Sequence, residues 1–263
     1  MPEGDTIFRS ATQLRRALAG GVVERAAAWD RLRDSPLAGL AGETIVAVEA
    51  RGKHLLMHLG AAGAIHSHMG MTGSWHLYPP GEPWRKPPRL AALVLTVRGV
   101  DAVCFTPKTL ELLSPDALRR HSQLQHLGPD LLAGEFAGEE GLGGVRAVGA
   151  APLGEAVMDQ RVVSGIGNIY KSEVLFIRGL DPFASVAAYS DQELAALLAE
   201  ARQLMLRNLL GRPRQTRLSS GSRQWVYHRS GQPCLKCRGA IEMRRQGDAG
   251  RSTYWCPSCQ PPR

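Results

Sequence analysis

The chain has 263 residues, enough for two ordinary domains that each bury a core. It carries 32 Lys and Arg against 24 Asp and Glu, a net charge of +8, and only Lys53, Lys86, Lys108, Lys171 and Lys236 are lysines, so 27 cations are arginines (32 − 5). Codon bias accounts for part of that arginine content, but the cationic excess favours a polyanionic partner, because guanidinium forks suit phosphate oxygens. There is no apolar run of 18 residues and no basic-then-apolar leader, so nothing argues for membrane insertion or secretion, and a cytoplasmic, nucleoid-associated location is expected.

Ile7, Ala11, Leu14 and Leu18 recur at helical spacing over residues 5–19, with Asp5 or Thr6 as the expected cap and Gly20-Gly21 as the stop. Pro2 and Glu3 therefore stand just ahead of a helix. From there to about residue 106 the chain breaks into short β-branched and apolar runs punctuated by Gly, Pro and acids, among them "ETIVAVEARG", "HLLMHLG", "GAIHSHMG" and "LAALVLTV". That pattern reads as an antiparallel sandwich or barrel. Residues 128–152 are glycine-rich, so the N-terminal domain is set at 1–130 and a linker leading into helix at 131–150, although "FAGEEGLGGVRAV" has some helical character. Beyond it "SDQELAALLAEARQLMLRNLL" is an amphipathic helix with a capping box at Ser190 and Glu193. A helical domain over 151–222 and a cysteine module over 223–263 complete the chain.

The sharpest chemical signal is at the C-terminus. Cys234 and Cys237, then Cys256 and Cys259, form two C-x2-C pairs separated by 18 residues, a spacing that brings four thiolates onto one tetrahedral zinc. Two disulfides are the alternative. With all four positions filled by thiolate, one zinc per chain is structural and not catalytic. The intervening hairpin carries Arg238, Arg244, Arg245 and Arg251 beside Tyr254 and Trp255, a mixture suited to phosphate contact. Cys104, in an apolar run, reads as an inert buried thiol.

In "VVSGIGNIYKSEVLF", Gly165 and Gly167 make a tight turn and Asn168 opens a helix. Such a turn either cradles a phosphate on its N–H groups or simply uses Asn168 as a cap. Lys53 stands at a strand junction in "EARGKHLLMHL", where a lysine is either solvated or functional. His54, His58, His66 and His68 suggest a metal cluster, but strand alternation and the lack of a nearby carboxylate make them structural or groove-facing.

Together "MPEGDT", "RGKHLL", "SHMGMTGSW", "VMDQRVVSGIGNIYKSEVLF" and "YWCPSCQ" resemble the family of formamidopyrimidine-DNA glycosylase and endonuclease VIII, over nearly the full chain and in the family's order. The resemblance implies an N-terminal β-sandwich led by a helix, a helix-two-turn-helix domain and a zinc finger, with double-stranded DNA held in the cleft between and the protein a monomer. It implies that Pro2, freed by loss of Met1, is an amine nucleophile, that Glu3 moves protons, and that Lys53 contacts a phosphate and helps protonate the departing base. Asn168 and Arg251 become phosphate clamps, with Arg251 counted in the catalytic set as well, and Gly165, Gly167 and Lys171 join the DNA contacts. Met71, otherwise a core methionine, becomes the wedge that fills the gap left by an extruded nucleotide.

The family commonly begins "PEGPE", whereas this chain has Asp5 and Thr6. "FTPKTLELLSPDAL" is closer to the endonuclease VIII branch, and residues 211–224 are short for the lesion-capping loop of the purine-specific branch. A bifunctional glycosylase and abasic-site lyase favouring oxidised pyrimidines and cutting by β,δ-elimination is therefore expected. A catalytically silent binder of damaged DNA would need only the arginines, the glycine turn and the finger, and a zinc-ribbon transcription or RNA-binding factor would leave the N-terminal motif unexplained.

Overall fold

The computed structural model describes residues 2–29, 32–211 and 213–263. They fall into two compact units, Met1–Gln125 and His126–Arg263, so the division lies slightly ahead of the boundary near 130 read from composition.

In the first unit, α1 (Gly4–Leu18) forms as its apolar spacing requires, with Ile7, Ala11, Leu14 and Leu18 all buried. Its cap is Glu3, upstream of the Asp5 or Thr6 expected, and the Glu3 carbonyl accepts the N–H groups of Thr6 and Ile7. The strands are β1 (Gly21–Ala28), β2 (Thr44–Ile45), β3 (Ala47–Arg51), β4 (His54–Leu59), β5 (Gly63–His68), β6 (Ser74–Tyr78), β7 (Ala91–Val97), β8 (Val100–Phe105) and β9 (Thr109–Leu113). They pair antiparallel into two sheets, ordered β2-β1-β7-β8-β6 and β3-β4-β5-β9. One core joins them: Val23, Leu93, Leu95 and Cys104 from the first sheet meet Leu55, Met57, Ile65 and Leu110 from the second, with α1 closing it. This is the expected sandwich. Cys104 is wholly buried, and burial pushes its thiol pKa up, as an inert thiol requires.

A ninth strand lies beyond residue 106, the expected end of the strand-like runs, and with the short helices α2 (Pro115–Arg120) and α3 (Ser122–Gln125) it completes the unit within the expected limit of 130. Leu110 faces the core, so Glu111 falls on the opposite face, directly across from His66 in the β5–β9 register. His54, His58, His66 and His68 share that outer face, since Leu55, Met57 and Ile65 between them point inward, and α2 packs over β5 and β9.

The second unit holds α4 (Gly138–Ala147), α5 (Leu153–Ala156), α6 (Asn168–Arg178), α7 (Asp191–Arg207) and a hairpin of β10 (Glu242–Gln246) and β11 (Arg251–Trp255). The capping box at the start of α7 is formed: Glu193 N–H donates to Ser190 Oγ at 3.3 Å and Ser190 N–H to Glu193 Oε2 at 2.9 Å. The glycine-rich stretch expected to begin as a linker is largely ordered by α4, which packs on α7. At Gly144 the glycine serves close approach: a Cβ there would sit 2.9 Å from the Val162 carbonyl oxygen. No helix among the described residues is long and apolar enough to cross a membrane.

Candidate active site and nucleic-acid interface

Pro2 is half-buried ahead of α1, and Glu3, its cap, is wholly buried. Met1 lies outside the described residues. Arg15, near the end of α1, donates its Nε to the Val48 carbonyl at 2.7 Å, and the helix packs on β3 and β4. Gly20 N–H donates to the Ile45 carbonyl at 2.7 Å, so the path back along the helix from Gly20 to Arg15 follows the chain from Ile45 to Val48. Continued, the rise of about 18 Å from Arg15 to Glu3 and the strand length of about 17 Å from Val48 to Lys53 run the same way, which directs the start of α1 toward the Lys53 end of the hairpin. Lys53 is fixed there by a two-residue turn closed by the Arg51–His54 pair, with Gly52 at φ +56° in the left-handed region.

Two neutral imidazoles stand beside it. Burial, helped by the neighbouring His66, pushes His54 down to about 3, and burial with the Lys108 and Lys53 cations holds His68 at about 4. After His68 the chain turns sharply: Gly70 takes φ +61° and Gly73 N–H donates to the Met69 carbonyl at 2.9 Å. Met71, at the apex, is 67% exposed, which removes the core reading of this residue. Its truncation should therefore separate DNA contact from folding. Met71→Ala is expected to leave thermal unfolding within about 0.5 kcal/mol of the parent while weakening anisotropy-measured affinity for an abasic-site duplex; unchanged affinity would exclude the wedge role.

In the second unit Gly165 takes φ +108°, a conformation open to glycine alone at low cost. Gln160, which sequence reading overlooked, shapes this turn: its Oε1 accepts Gly165 N–H at 3.1 Å while its Nε2 donates to the Met158 and Ile166 carbonyls. The cap of α6 is Gly167, with no side-chain cap bond, so Asn168 is the first helical residue and the simple capping role is ruled out. Asn168 Oδ1 and the nearby Ser164 Oγ are buried without a hydrogen-bond partner among the described residues. A turn of backbone donors at a helix N-terminus is suited to an anion.

Lys171 does not join that surface. It is 2% exposed, and its Nζ donates to Thr253 Oγ1 at 2.7 Å, tying α6 to β11; the helical period turns it inward, against the expectation of a DNA contact. Ser172 Oγ accepts Tyr254 N–H at 3.2 Å, and Gln246 Nε2 donates to the Pro182 carbonyl at 2.9 Å, so the hairpin is docked by several polar ties. Arg251, at the start of β11, remains exposed.

Glu173 is the other residue that sequence reading passed over. It is wholly buried, and its carboxylate accepts the N–H groups of Trp225, Val226 and Tyr227 at 2.8, 2.9 and 2.8 Å and the hydroxyl of Thr216. Burial raises its pKa and these donors oppose the rise. One carboxylate thus gathers both ends of the segment 216–227. Glu173→Gln places an amide N–H₂ against these donors and is expected to cost roughly 1–3 kcal/mol in urea unfolding; unaltered stability would show that the cage is dispensable.

The four predicted metal ligands converge, with every Sγ within 4.8 Å of the others. Cys234 and Cys259 Sγ are 3.9 Å apart and Cys237 and Cys256 Sγ 3.4 Å apart, around the edge of about 3.8 Å that tetrahedral Zn–S bonds of about 2.3 Å impose. Lys236 N–H donates to Cys234 Sγ at 3.4 Å, the polarity a thiolate needs. A structural zinc fits, and the alternative of two disulfides is set aside.

Comparison with known proteins decides what these pieces are. The formamidopyrimidine-DNA glycosylase N-terminal domain matches residues 1–110, its H2TH domain residues 127–217, and the zinc finger found in FPG and IleRS residues 231–262. The chain belongs to the formamidopyrimidine-DNA glycosylase and endonuclease 8 family. Within this family it is 37% identical to the probable endonuclease 8 2 of Streptomyces coelicolor, over 99% of this chain and 94% of that one. It is 35% identical to the DNA-(apurinic or apyrimidinic site) lyase Nei2 of Mycolicibacterium smegmatis, over 99% of both chains. The fold matches the crystal structure of Lactococcus lactis formamidopyrimidine-DNA glycosylase bound to DNA containing an AP site, with a TM-score of 0.81 at 23% identity, over 99% of this chain and 100% of that one. The family's zinc finger accordingly uses Cys234, Cys237, Cys256 and Cys259, with one structural zinc per chain.

Proposed function

We propose that this protein is a bifunctional DNA glycosylase and abasic-site lyase that removes oxidised bases, pyrimidines foremost, from duplex DNA. One observation carries the reading: a wholly buried acid, Glu3, caps the first helix directly behind Pro2, on a helix packed along the hairpin that bears Lys53. A silent DNA binder has no use for that arrangement. The names of the relatives, an endonuclease 8 and an abasic-site lyase, support it.

With Met1 removed, Pro2 presents a secondary amine, and the positive end of α1 favours its neutral, nucleophilic form. The Pro2 lone pair attacks C1′ of the damaged nucleotide as the glycosidic bond breaks, and the bonding pair leaves with the base, which takes a proton with the help of Lys53. Pro2 N gives up its proton, which balances the one taken up by the base, and Glu3 protonates the ring oxygen O4′ as the sugar opens, leaving an iminium between Pro2 N and C1′. Loss of the C2′ proton expels the 3′ phosphate, a second elimination expels the 5′ phosphate, and water returns the amine. Asn168, at the turn that Gly165 and Gly167 shape, holds a flanking phosphate, Arg251 another, and Met71 occupies the vacated stack. The zinc finger positions Arg251 and takes no part in the chemistry. The protein acts as a monomer in the cytoplasm.

Arg251→Ala is expected to weaken DNA binding and to reduce the slope of log K against log salt by about one phosphate contact; an unchanged slope removes Arg251 from the clamp. The function itself is tested by single-turnover incision of duplexes carrying thymine glycol, 5-hydroxycytosine, 8-oxoguanine opposite cytosine, or an abasic site. Faster release of the pyrimidines, with phosphate on both sides of the gap, is expected. Preferred release of 8-oxoguanine assigns the purine specificity instead, and inert abasic DNA leaves only a binder.

A further inference from the structure

We propose that the outer face of the four-stranded sheet holds a second divalent metal site of the zinc class, formed by His66, Glu111 and His121 and separate from the cysteine finger. These residues come from three elements: β5, β9 and the turn that ends α2. One ligand atom from each lies within 4.8 Å of the others. His66 Nδ1 is 2.8 Å from Glu111 Oε1, and His121 Nε2 is 3.5 Å from the same oxygen. Donor atoms on a tetrahedral zinc with bonds of about 2.0–2.1 Å are about 3.3 Å apart, so two of the three edges stand close to the required length before any metal arrives. Two imidazoles and one carboxylate leave a fourth position for water, the donor set of an open zinc site.

The surroundings meet the remaining requirements for such a site. His66 is fixed from behind, since its Nε2 lies 2.8 Å from His54 Nδ1; with metal on Nδ1, Nε2 is the protonated nitrogen and donates to His54. The His66 side chain is 1% exposed, whereas those of Glu111 and His121 are 40% and 17% exposed, which gives the ion an entry path from solvent. His121 Nδ1 accepts Leu124 N–H at a long 3.4 Å, and this is the contact that metal binding through Nε2 would displace. The site reaches the candidate active site through His54, the residue after Lys53, so occupancy fixes the orientation of an imidazole beside that lysine.

The test uses the full chain with its finger loaded. Protein incubated with a tenfold excess of Zn(II) and desalted is expected to retain two zinc per chain by elemental analysis. Co(II) titration of the zinc-loaded protein should give weak visible bands without the sulfur-to-cobalt charge transfer of a thiolate site. Glu111→Gln and His121→Asn, both at partly exposed positions, should each lose the second equivalent and keep the first, with circular dichroism unchanged. One zinc per chain in the parent, or a second equivalent that persists in both variants, overturns the proposal.

Discussion

Glu3→Gln is expected to lower single-turnover base release by about 10²–10⁴, the usual contribution of a positioned acid–base group, with helix content and abasic-DNA affinity retained. The substitution isolates chemistry from structure because Glu3 caps α1 through its main-chain carbonyl and its side chain makes no capping bond. Gln has the same shape and can neither give nor take the proton at O4′. Rates compared by quenched gel assay at saturating enzyme, beside far-ultraviolet circular dichroism, decide it. Base release within twofold of the parent would remove the Glu3 carboxyl from the chemistry.

Removing the zinc should abolish incision while the first unit stays folded. Structural zinc in small finger modules supplies about 10–16 kcal/mol of apparent binding free energy that is also folding free energy. The hairpin here has further ties to α6, through Lys171 to Thr253 and Ser172 to Tyr254, so the metal-free finger retains a tether but loses the geometry of its tip, where Arg251 sits. Chelated protein shown by elemental analysis to be metal-free is expected to lose at least 100-fold in DNA affinity, the order of two tenfold steps of 1.4 kcal/mol each. Metal-free protein that binds and cuts as the parent does would remove the finger from the mechanism.

The parts legible in the sequence are those whose signal is local. C-x2-C spacing fixes two knuckles without reference to the rest of the chain, and the capping box at Ser190 and Glu193 announces α7 by short-range hydrogen bonding. Likewise alternation gave the strands up to Phe105. The parts hidden in the sequence depend on contacts between distant segments. Lys171 lies in a motif where the sequence places several expected DNA contacts, and only the docking of β11 on α6 shows that its ammonium is inside the protein, on Thr253. Glu173 looks like an ordinary helix-surface acid until the segment 216–227 folds over it. The histidines read as lacking a carboxylate because Glu111 lies on a strand that the sequence pattern was not carried far enough to reveal; the alternation of Leu110 and Leu112 was the available signal. Register then sets Glu111 opposite His66.

Whether the Pro2 amine ahead of the first helix is the nucleophile is decided by borohydride trapping. Protein shown by intact mass to begin at Pro2 is mixed with a duplex containing one abasic site, reduced, digested and sequenced by mass spectrometry, with Pro2→Gly and Glu3→Gln alongside. A stable adduct on the nitrogen of Pro2 is the expected result. No adduct from protein that binds this DNA, or an adduct on Lys53 or another lysine, would contradict it.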